Sequence, residues 1–414
     1  MKLFYFSNER FPSSSACSIQ QMRMCEAFAN IGIQTFLVRP LYLDCMRYNK
    51  KDIFDFYGVE PVFRIFTLPT LLSLSKPAAG KKSRFCIPYI GGLSMQISTW
   101  LFILAGWIAG LYHEKTIFYS RNVNASMVFL RYWQFLMKKK QASLCFEVHS
   151  LSQQPAHYFK KVLEGSHVLV SISQALKNAL VKGYKIDEQK TIVCPDGVQY
   201  EQLIEPRFSK NDARIILNLP KEYSRIVVYT GQILPGKGVE YFIRAAKYLD
   251  DVLFVIVGGN PISIADVKNK TQCHHQKNVF FSGFVAPRSV SNYQSAADIL
   301  VLPNTEGSDI SQFTSPLKLF EYMAAERPIV ASDMPVLREI LQHGQNAILV
   351  QPADEKELAG AIRRLLHDQN LADQISEQAR RQVEQYTWSN RARKIINFIR
   401  NKLPDNKITF VNEQ

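Results

Sequence analysis

The sequence predicts an α/β protein made of two doubly wound, parallel-sheet domains. Short apolar runs alternate with longer amphipathic segments along the chain, the pattern of parallel strands joined by helices. The pattern starts over near residue 225, beyond a Pro195-Asp196-Gly197 turn. The 414 residues suffice for two domains with separate cores. A composition of 47% hydrophobic and 21% charged residues excludes a disordered chain, and the lack of Gly-X-Y, heptad or low-complexity tracts excludes fibrous and solenoid architectures.

In the first half, residues 3–6 read as a strand, followed by the small-residue loop Ser13-Ser14-Ser15-Ala16 and a helix through IQQMRMCEAFANIG. TFLV before Arg39, IFYS (117–120), LCFEV (144–148), VLVS (168–171) and TIVC (191–194) supply further strands. The second half repeats this grammar. RIVVYTG (225–231) is a strand, a Gly-rich loop follows, and VEYFIRAAKYL (239–249) is a helix. LFVIVGG (253–259), VFFSGF (279–284), DILVLP (298–303) and PIVAS (328–332) continue the strands. The boundary falls near 200–215, giving a first domain of 1–205.

Residues 85–112 carry no charge and include ISTWLFILAGWIAGL. The unbroken apolar core spans only 100–111, short of the roughly 20 residues a membrane span needs, so a buried or interfacial helix ranks ahead of a transmembrane one. Lys81, Lys82 and Arg84 precede it, as a membrane-surface anchor requires. The net charge of +14 is concentrated in residues 1–200, where 24 Lys and Arg face 12 Asp and Glu. That half should seek an anionic surface, either a membrane or a phosphate-bearing acceptor. No zinc-finger, RRM or basic-zipper pattern accompanies the charge, so nucleic acid is not an expected partner. Seven cysteines scattered singly argue for a reducing compartment and against a zinc site. MKLFYFSNE reaches Glu9 too early for a signal peptide. A cytoplasmic location is expected.

Three segments have the chemistry of a site. In TSPLKLFEYMA, Ser315 suits an N-cap and Pro316 a first helical position, leaving the N–H groups of Leu317 and Lys318 free to hold a diphosphate. Glu321, a turn further on, is placed to accept from paired hydroxyls such as a ribose's; a capped surface helix with a solvated Glu is the plain alternative. Gly231-Gln232-Ile233-Leu234-Pro235-Gly236-Lys237-Gly238 joins a strand to a helix, and Lys237 can neutralise phosphate charge there. Its spacing is not that of a Walker loop. Glu147-Val148-His149-Ser150 follows a strand at the end where open α/β sheets bind ligands. His149 there can bind a sugar hydroxyl, assist a proton transfer or be a satisfied structural residue. Arg121 occupies an equivalent strand end, with a surface ion pair as its alternative role.

These segments, in this order and over nearly the whole chain, resemble the retaining glycosyltransferases of family 4, which have the GT-B fold. YTGQILPGKGVEYFIRAA resembles the family's phosphate loop, FFSGFV its nucleobase region, and SPLKLFEYMAAERPIVASDMPVLREIL its most specific signature. SNERFPSSSACSIQQMRMCEAFANIG and FEVHS also look like family segments, and YTW (386–388) resembles the start of a C-terminal crossover helix. The resemblance implies two Rossmann-like domains facing across a cleft, the second over 206–385, with 386–414 as crossover helix and tail.

It further implies a nucleotide-sugar donor held mainly by the second domain and a glycan or lipid-linked acceptor held mainly by the first. Glu321 matches the second glutamate of the E-x7-E motif and would bind the donor ribose. Lys237 matches the residue paired with the diphosphate, and His149 the histidine near the donor sugar. Gly283, Phe284 and Val285 would flank the base, and the loop carrying Ser14 and Ser15 would face the diphosphate. Three positions depart from the pattern. Phe313 replaces the first glutamate, Gln232 replaces a basic residue, and Ser-Ser-Ser-Ala replaces a glycine-bearing loop.

No cofactor beyond the nucleotide-sugar co-substrate and no metal is expected, because no ligand cluster has suitable spacing. The expected activity is a retaining, metal-independent glycosyl transfer serving cell-surface polysaccharide or glycolipid synthesis, peripherally at the inner membrane face. Phe313 and Gln232 keep a nonenzymatic sugar-nucleotide-binding subunit as the alternative. A nucleotide-sugar epimerase would want further acid–base carboxylates, and a nicotinamide dehydrogenase a G-x-G-x-x-G after a strand.

Overall fold

The computed structural model describes residues 1–402 except 43–44, 46–47, 71–89, 113–114, 134–141, 152–155, 200–207, 275 and 307–311. Among the described residues, seven strands form a first parallel sheet. They are β1 (Lys2–Phe6), β2 (Gln34–Pro40), β3 (Arg64–Leu68), β4 (Thr116–Ser120), β5 (Ala142–Val148), β6 (Val168–Ser171) and β7 (Thr191–Val193). Their order is β3-β2-β1-β4-β5-β6-β7. Six more form a second parallel sheet: β8 (Arg225–Thr230), β9 (Val252–Val257), β10 (Val279–Gly283), β11 (Ile299–Leu302), β12 (Ile329–Ser332) and β13 (Ile348–Val350). Their order is β10-β9-β8-β11-β12-β13. In each sheet the order reverses once, between β1 and β4 and between β8 and β11. Ligands of open α/β sheets bind outside the strand ends at such points.

The strands are strongly apolar because helices cover both faces. All six residues of β9, VLFVIV, are buried. Sequence periodicity located eleven of these strands and missed β3 and β13. RIFTL, at the edge of the first sheet, mixes Arg64 and Thr67 with three apolar residues, and ILV is three residues long, so neither makes a conspicuous apolar run.

The first helix, Ala16–Asn30, begins where Ser15 caps it by accepting from the Ser18 N–H at 3.1 Å. The helix expected at Pro316 starts one residue later, at Leu317, with Pro316 as N-cap and no side-chain cap. Ser315 does not cap it; its hydroxyl instead accepts from the Asp196 N–H at 2.9 Å, across the two domains.

The uncharged stretch forms the helix Ile90–Ile108. Residues 85–89 and the basic residues Lys81, Lys82 and Arg84 lie outside the described residues, as does the 205/206 boundary. Met95 and Ile103 are fully buried in the first domain, whereas Leu93, Ile97, Leu101 and Ile108 are exposed. Spacings of four, four and seven put those four on one helix face. Among the described residues, no helix is long and apolar enough to cross a membrane.

The final helix, Trp388–Lys402, returns to the first domain, where Trp388, Ala392, Ile395, Ile396 and Ile399 join a core with Met24, Phe28 and Tyr119. Its entry is fixed by Val198, which bonds to Tyr386 O and Trp388 N as the two inter-domain crossings pass each other. A Cβ on Gly197 would stand 2.8 Å from Tyr386 O, so only glycine allows this approach.

Arg391 on this helix is 4% exposed and points beneath the first sheet's ligand-facing edge. Its guanidinium donates to Pro195 O (2.8 Å) and Cys194 O (3.3 Å). Its Nη2 lies 3.1 Å from the fully buried Glu147 carboxylate. Removing one partner of a buried pair leaves the other charge uncompensated, at a cost of about 3–5 kcal/mol. Arg391→Met should therefore lower the unfolding free energy by about that amount in urea titrations. Adding Glu147→Gln to it should recover a large part of the loss.

Candidate active site

The carboxyl ends of both sheets face one cleft of about 1330 Å³. It is lined from the first domain by Asn8, Ser14, Arg23, Arg121, His149 and Asp196, and from the second by Gln232, Lys237, Phe284, Lys318 and Glu321.

On the second-domain side, the loop after β8 brings Lys237 over the cleft. Gly238 carries φ +68, and a Cβ there would lie 1.6 Å from Pro303 O, so this turn against the end of β11 requires glycine. Opposite it begins the helix Leu317–Ala324, whose first-turn N–H groups at Leu317 and Lys318 have no intrahelical acceptor. With Lys237 they form an electropositive corner suited to phosphate. Burial lowers the Lys237 amine from its ordinary value. Glu321 is held by Gln294 Nε2 at 3.3 Å, and burial raises its carboxyl despite that bond and the charges of Arg23 and Lys318. Phe284 is 62% exposed and, with Val285, walls the cleft beyond Gly283.

On the first-domain side, Glu147 at the end of β5 organises its neighbours. Gln20 Nε2 donates to Oε1 at 2.8 Å, and Tyr119 OH donates to Oε2. Burial opposes its ionisation, but Arg391, His149 and Arg121 hold the carboxyl well below the usual range. Glu147 therefore accepts only, so the Nε2–H of His149, which lines the cleft, donates to it at 2.5 Å, leaving Nδ1 as the acceptor nitrogen. Burial and the Arg121 charge depress the His149 pKa to about 4, outweighing the Glu147 carboxylate. The imidazole is neutral at pH 7. Arg121 reaches Gln20 Oε1 at 2.8 Å and Cys17 Sγ at 3.5 Å.

The structure thus brings His149, Arg121, Ser14, Gln232, Lys237, Phe284, Val285, Ser315, Leu317, Lys318 and Glu321 to the cleft wall. Ser15 is taken up by its helix cap. Phe313 packs instead on the first domain's cluster of Phe146, Phe159 and Leu176, and its carbonyl accepts from Ser173 Oγ at 3.1 Å. An apolar side chain at that position ties the domains together. Among the described residues, no group of three or more His, Cys, Asp or Glu is placed to hold a metal ion.

Sequence reasoning missed Asp196, Arg391, Gln20, Arg23 and Gln294. Asp196 sat in a Pro-Asp-Gly turn that local chemistry explains completely. Glu147 did leave a signal, a carboxylate inside the apolar strand LCFEV.

Asp196 is 5% exposed, and its Oδ1 has no hydrogen-bond partner among the described residues. That oxygen lies 3.8 Å from Arg391 Nη2. Burial pushes its pKa up to about 6, with Glu147 adding to the rise and Arg391 and Arg121 opposing it. A raised carboxyl pKa means that the protonated form stabilises the fold fully below about pH 4 and loses that contribution as pH rises through about 6. Asp196→Asn cannot ionise, so it should be more stable than the wild type by about 2–3 kcal/mol at pH 7.5. Urea unfolding at pH 7.5 and pH 4 should show that difference closing at the lower pH.

This fold and cleft define a two-domain GT-B protein. Solved structures agree over nearly the whole chain. HepE of Anabaena, solved with UDP and glucose, superposes with a TM-score of 0.69 at 16% identity, covering 97% of this chain and 99% of that one. Sucrose-phosphate synthase of Thermosynechococcus elongatus gives 0.73 at 19% identity, covering 97% and 98%. Residues 224–368, about a third of the chain, match the family described as Glycosyl transferases group 1. An uncharacterized glycosyltransferase of Methanocaldococcus jannaschii is 27% identical over 240 residues, 55% of this chain and 58% of the relative. The alpha-D-kanosaminyltransferase of Streptomyces kanamyceticus is 31% identical over 160 residues, 37% and 39% respectively. The alignments thus span about half the length of the curated relatives.

Proposed function

We propose that this protein is a retaining, metal-independent glycosyltransferase of the family 4 type. It moves a sugar from a nucleotide-sugar donor to a glycan or lipid-linked acceptor in cell-surface polysaccharide or glycolipid synthesis. The observation that carries this reading is the convergence of Lys237, the Leu317–Lys318 N–H groups and Glu321 on one wall of a cleft whose other wall presents His149. The relatives' names, which include an O-antigen chain mannosyltransferase of Salmonella typhimurium, support the acceptor class.

Cleavage of the sugar–phosphate bond places negative charge on the departing diphosphate and positive charge on the sugar. Fixed N–H donors and Lys237 stabilise the first without reorganising during the reaction, a large electrostatic contribution. Glu321 accepts from the ribose hydroxyls and anchors the nucleotide. His149 Nδ1, neutral at pH 7, accepts from a hydroxyl of the transferred sugar. The acceptor hydroxyl attacks from the face the diphosphate leaves, and its proton passes to the departing phosphate oxygen. Positioning of the acceptor then supplies much of the rate.

Nucleotide release from UDP-, GDP- and ADP-sugars tests this reading. One donor should be turned over, and Lys237→Ala should lower kcat/KM by roughly a hundredfold or more. Glu321→Ala should chiefly raise KM. Binding of a nucleotide with no sugar release in the presence of acceptor extracts would favour the nonenzymatic subunit, which the apolar packing of Phe313 also favours.

Peripheral attachment to the inner membrane face belongs to the same reading. The exposed stripe of Leu93, Ile97, Leu101 and Ile108, on a domain rich in Lys and Arg, supports it. Leu101→Glu with Ile108→Glu should abolish sedimentation with phosphatidylglycerol vesicles while leaving nucleotide binding unchanged. Equal sedimentation of the variant would refute the attachment.

A further inference from the structure

Lys318 brings more to the cleft than a backbone N–H. Its Nζ is buried from solvent and makes no hydrogen bond among the described residues. It lies 3.9 Å from the centroid of the Tyr229 ring, and 3.6 Å from the point a Cβ on Gly231 would occupy. The ring offers a cation–π face, but its hydroxyl is engaged in donating to Gln232 O at 2.8 Å. Three ammonium donors are therefore left without an oxygen acceptor, a costly arrangement for a buried charge.

The groups around it explain what would satisfy it. Lys237, from the loop after β8, repels the ammonium, while Glu321, on its own helix, attracts it. Glu321 is shared with Gln294 of the helix Val290–Ala296 and with the Arg23 charge of the first helix. Glu240 acts on the Tyr229 hydroxyl from the helix Val239–Ala245. Burial, reinforced by Lys237, drives the Lys318 amine well below its ordinary value, with Glu321 opposing. Two amines from different elements thus line one corner, and the nearby carboxylate already has partners.

We propose that Lys318 Nζ is a second phosphate-binding cation of the donor site, closing with Lys237 on the diphosphate as a two-lysine clamp. The identity of the ligand as a nucleotide-sugar diphosphate rests on the glycosyl-transfer reading; the anion-binding role rests on the two amines. A multiply charged phosphate supplies acceptors to Nζ and offsets the repulsion from Lys237. The free protein holds part of its Lys318 as neutral amine at alkaline pH, whereas the complex holds it as ammonium. Binding therefore takes up a proton, and affinity falls as pH rises through the lowered pKa of the free protein.

Calorimetry with UDP, GDP and ADP, their nucleosides, and inorganic pyrophosphate as a base-free probe tests the clamp. Lys318→Met keeps the stem against Tyr229 and should weaken diphosphate and pyrophosphate binding roughly ten- to a hundredfold, leaving nucleoside affinity unchanged. Lys318→Arg keeps a charge that does not titrate. It should retain diphosphate binding but lose the larger part of the proton uptake that the wild type shows at alkaline pH in buffers of different ionisation enthalpy, leaving only the share due to Lys237. Unchanged diphosphate affinity in folded Lys318→Met, an equal loss for the nucleoside, or equal losses in the Met and Arg variants would overturn the proposal. If Lys318→Met does not fold, absence of proton uptake in the wild type overturns it. The donor reading fails separately. Pyrophosphate binding that depends on Lys318, with no nucleotide bound, would retain the clamp and reject the nucleotide-sugar.

Discussion

A single guanidinium determines how the first domain meets its ligands. Arg391 arrives from the last helix of the chain and is buried beside the carboxylate of Glu147, at the end of β5. Without it, Glu147 would be an isolated charge in the interior and would protonate. Ionised, it accepts from Gln20, Tyr119 and His149 together. The tautomer and ring orientation of His149 thus depend on a residue more than two hundred positions away. The same guanidinium grips the carbonyls of Cys194 and Pro195, where the chain leaves the first domain. The strand end, the cleft histidine and the inter-domain crossing are parts of one electrostatic unit.

The second domain follows a different rule. Its cleft wall is polarised by backbone more than by buried ion pairs, through a helix start and a glycine turn pressed against the end of β11. Its charged side chains, Lys237, Lys318 and Glu321, are incompletely satisfied by one another. The first-domain wall is therefore organised around one ionised carboxylate, whereas the second-domain wall is dominated by amines and backbone N–H groups. That asymmetry suits a donor bound by its phosphates on one side and a neutral histidine acceptor on the other.

The domains are held in register by contacts that use no cleft charge. Glu339 accepts from the N–H groups of Gln174 and Ala175 at the start of the helix Gln174–Tyr184, at 2.7 and 2.9 Å, where a carboxylate is favoured by the helix dipole. Phe313 adds apolar packing to the same side of the junction. An acidic residue at that position would meet the cluster around Phe146 and Phe159, so its replacement by phenylalanine is consistent with this mode of closure.

Two α/β halves, the turn at 195–197, a helix beginning beside Pro316 and the gathering of Lys237 and Glu321 at strand ends were legible in the chain itself. Those features depend on periodicity and on proline and glycine placement within a few residues, which act before the chain has folded. The pairing of Arg391 with Glu147, the unpaired Asp196 oxygen and the Lys318 amine over Tyr229 were not legible. Nor was the diversion of the Ser315 hydroxyl from its helix to the Asp196 N–H. Each joins groups from separate segments of the chain, and their energies are set by burial and by which strand ends the two sheets bring face to face. Only the tertiary structure creates that low-dielectric junction.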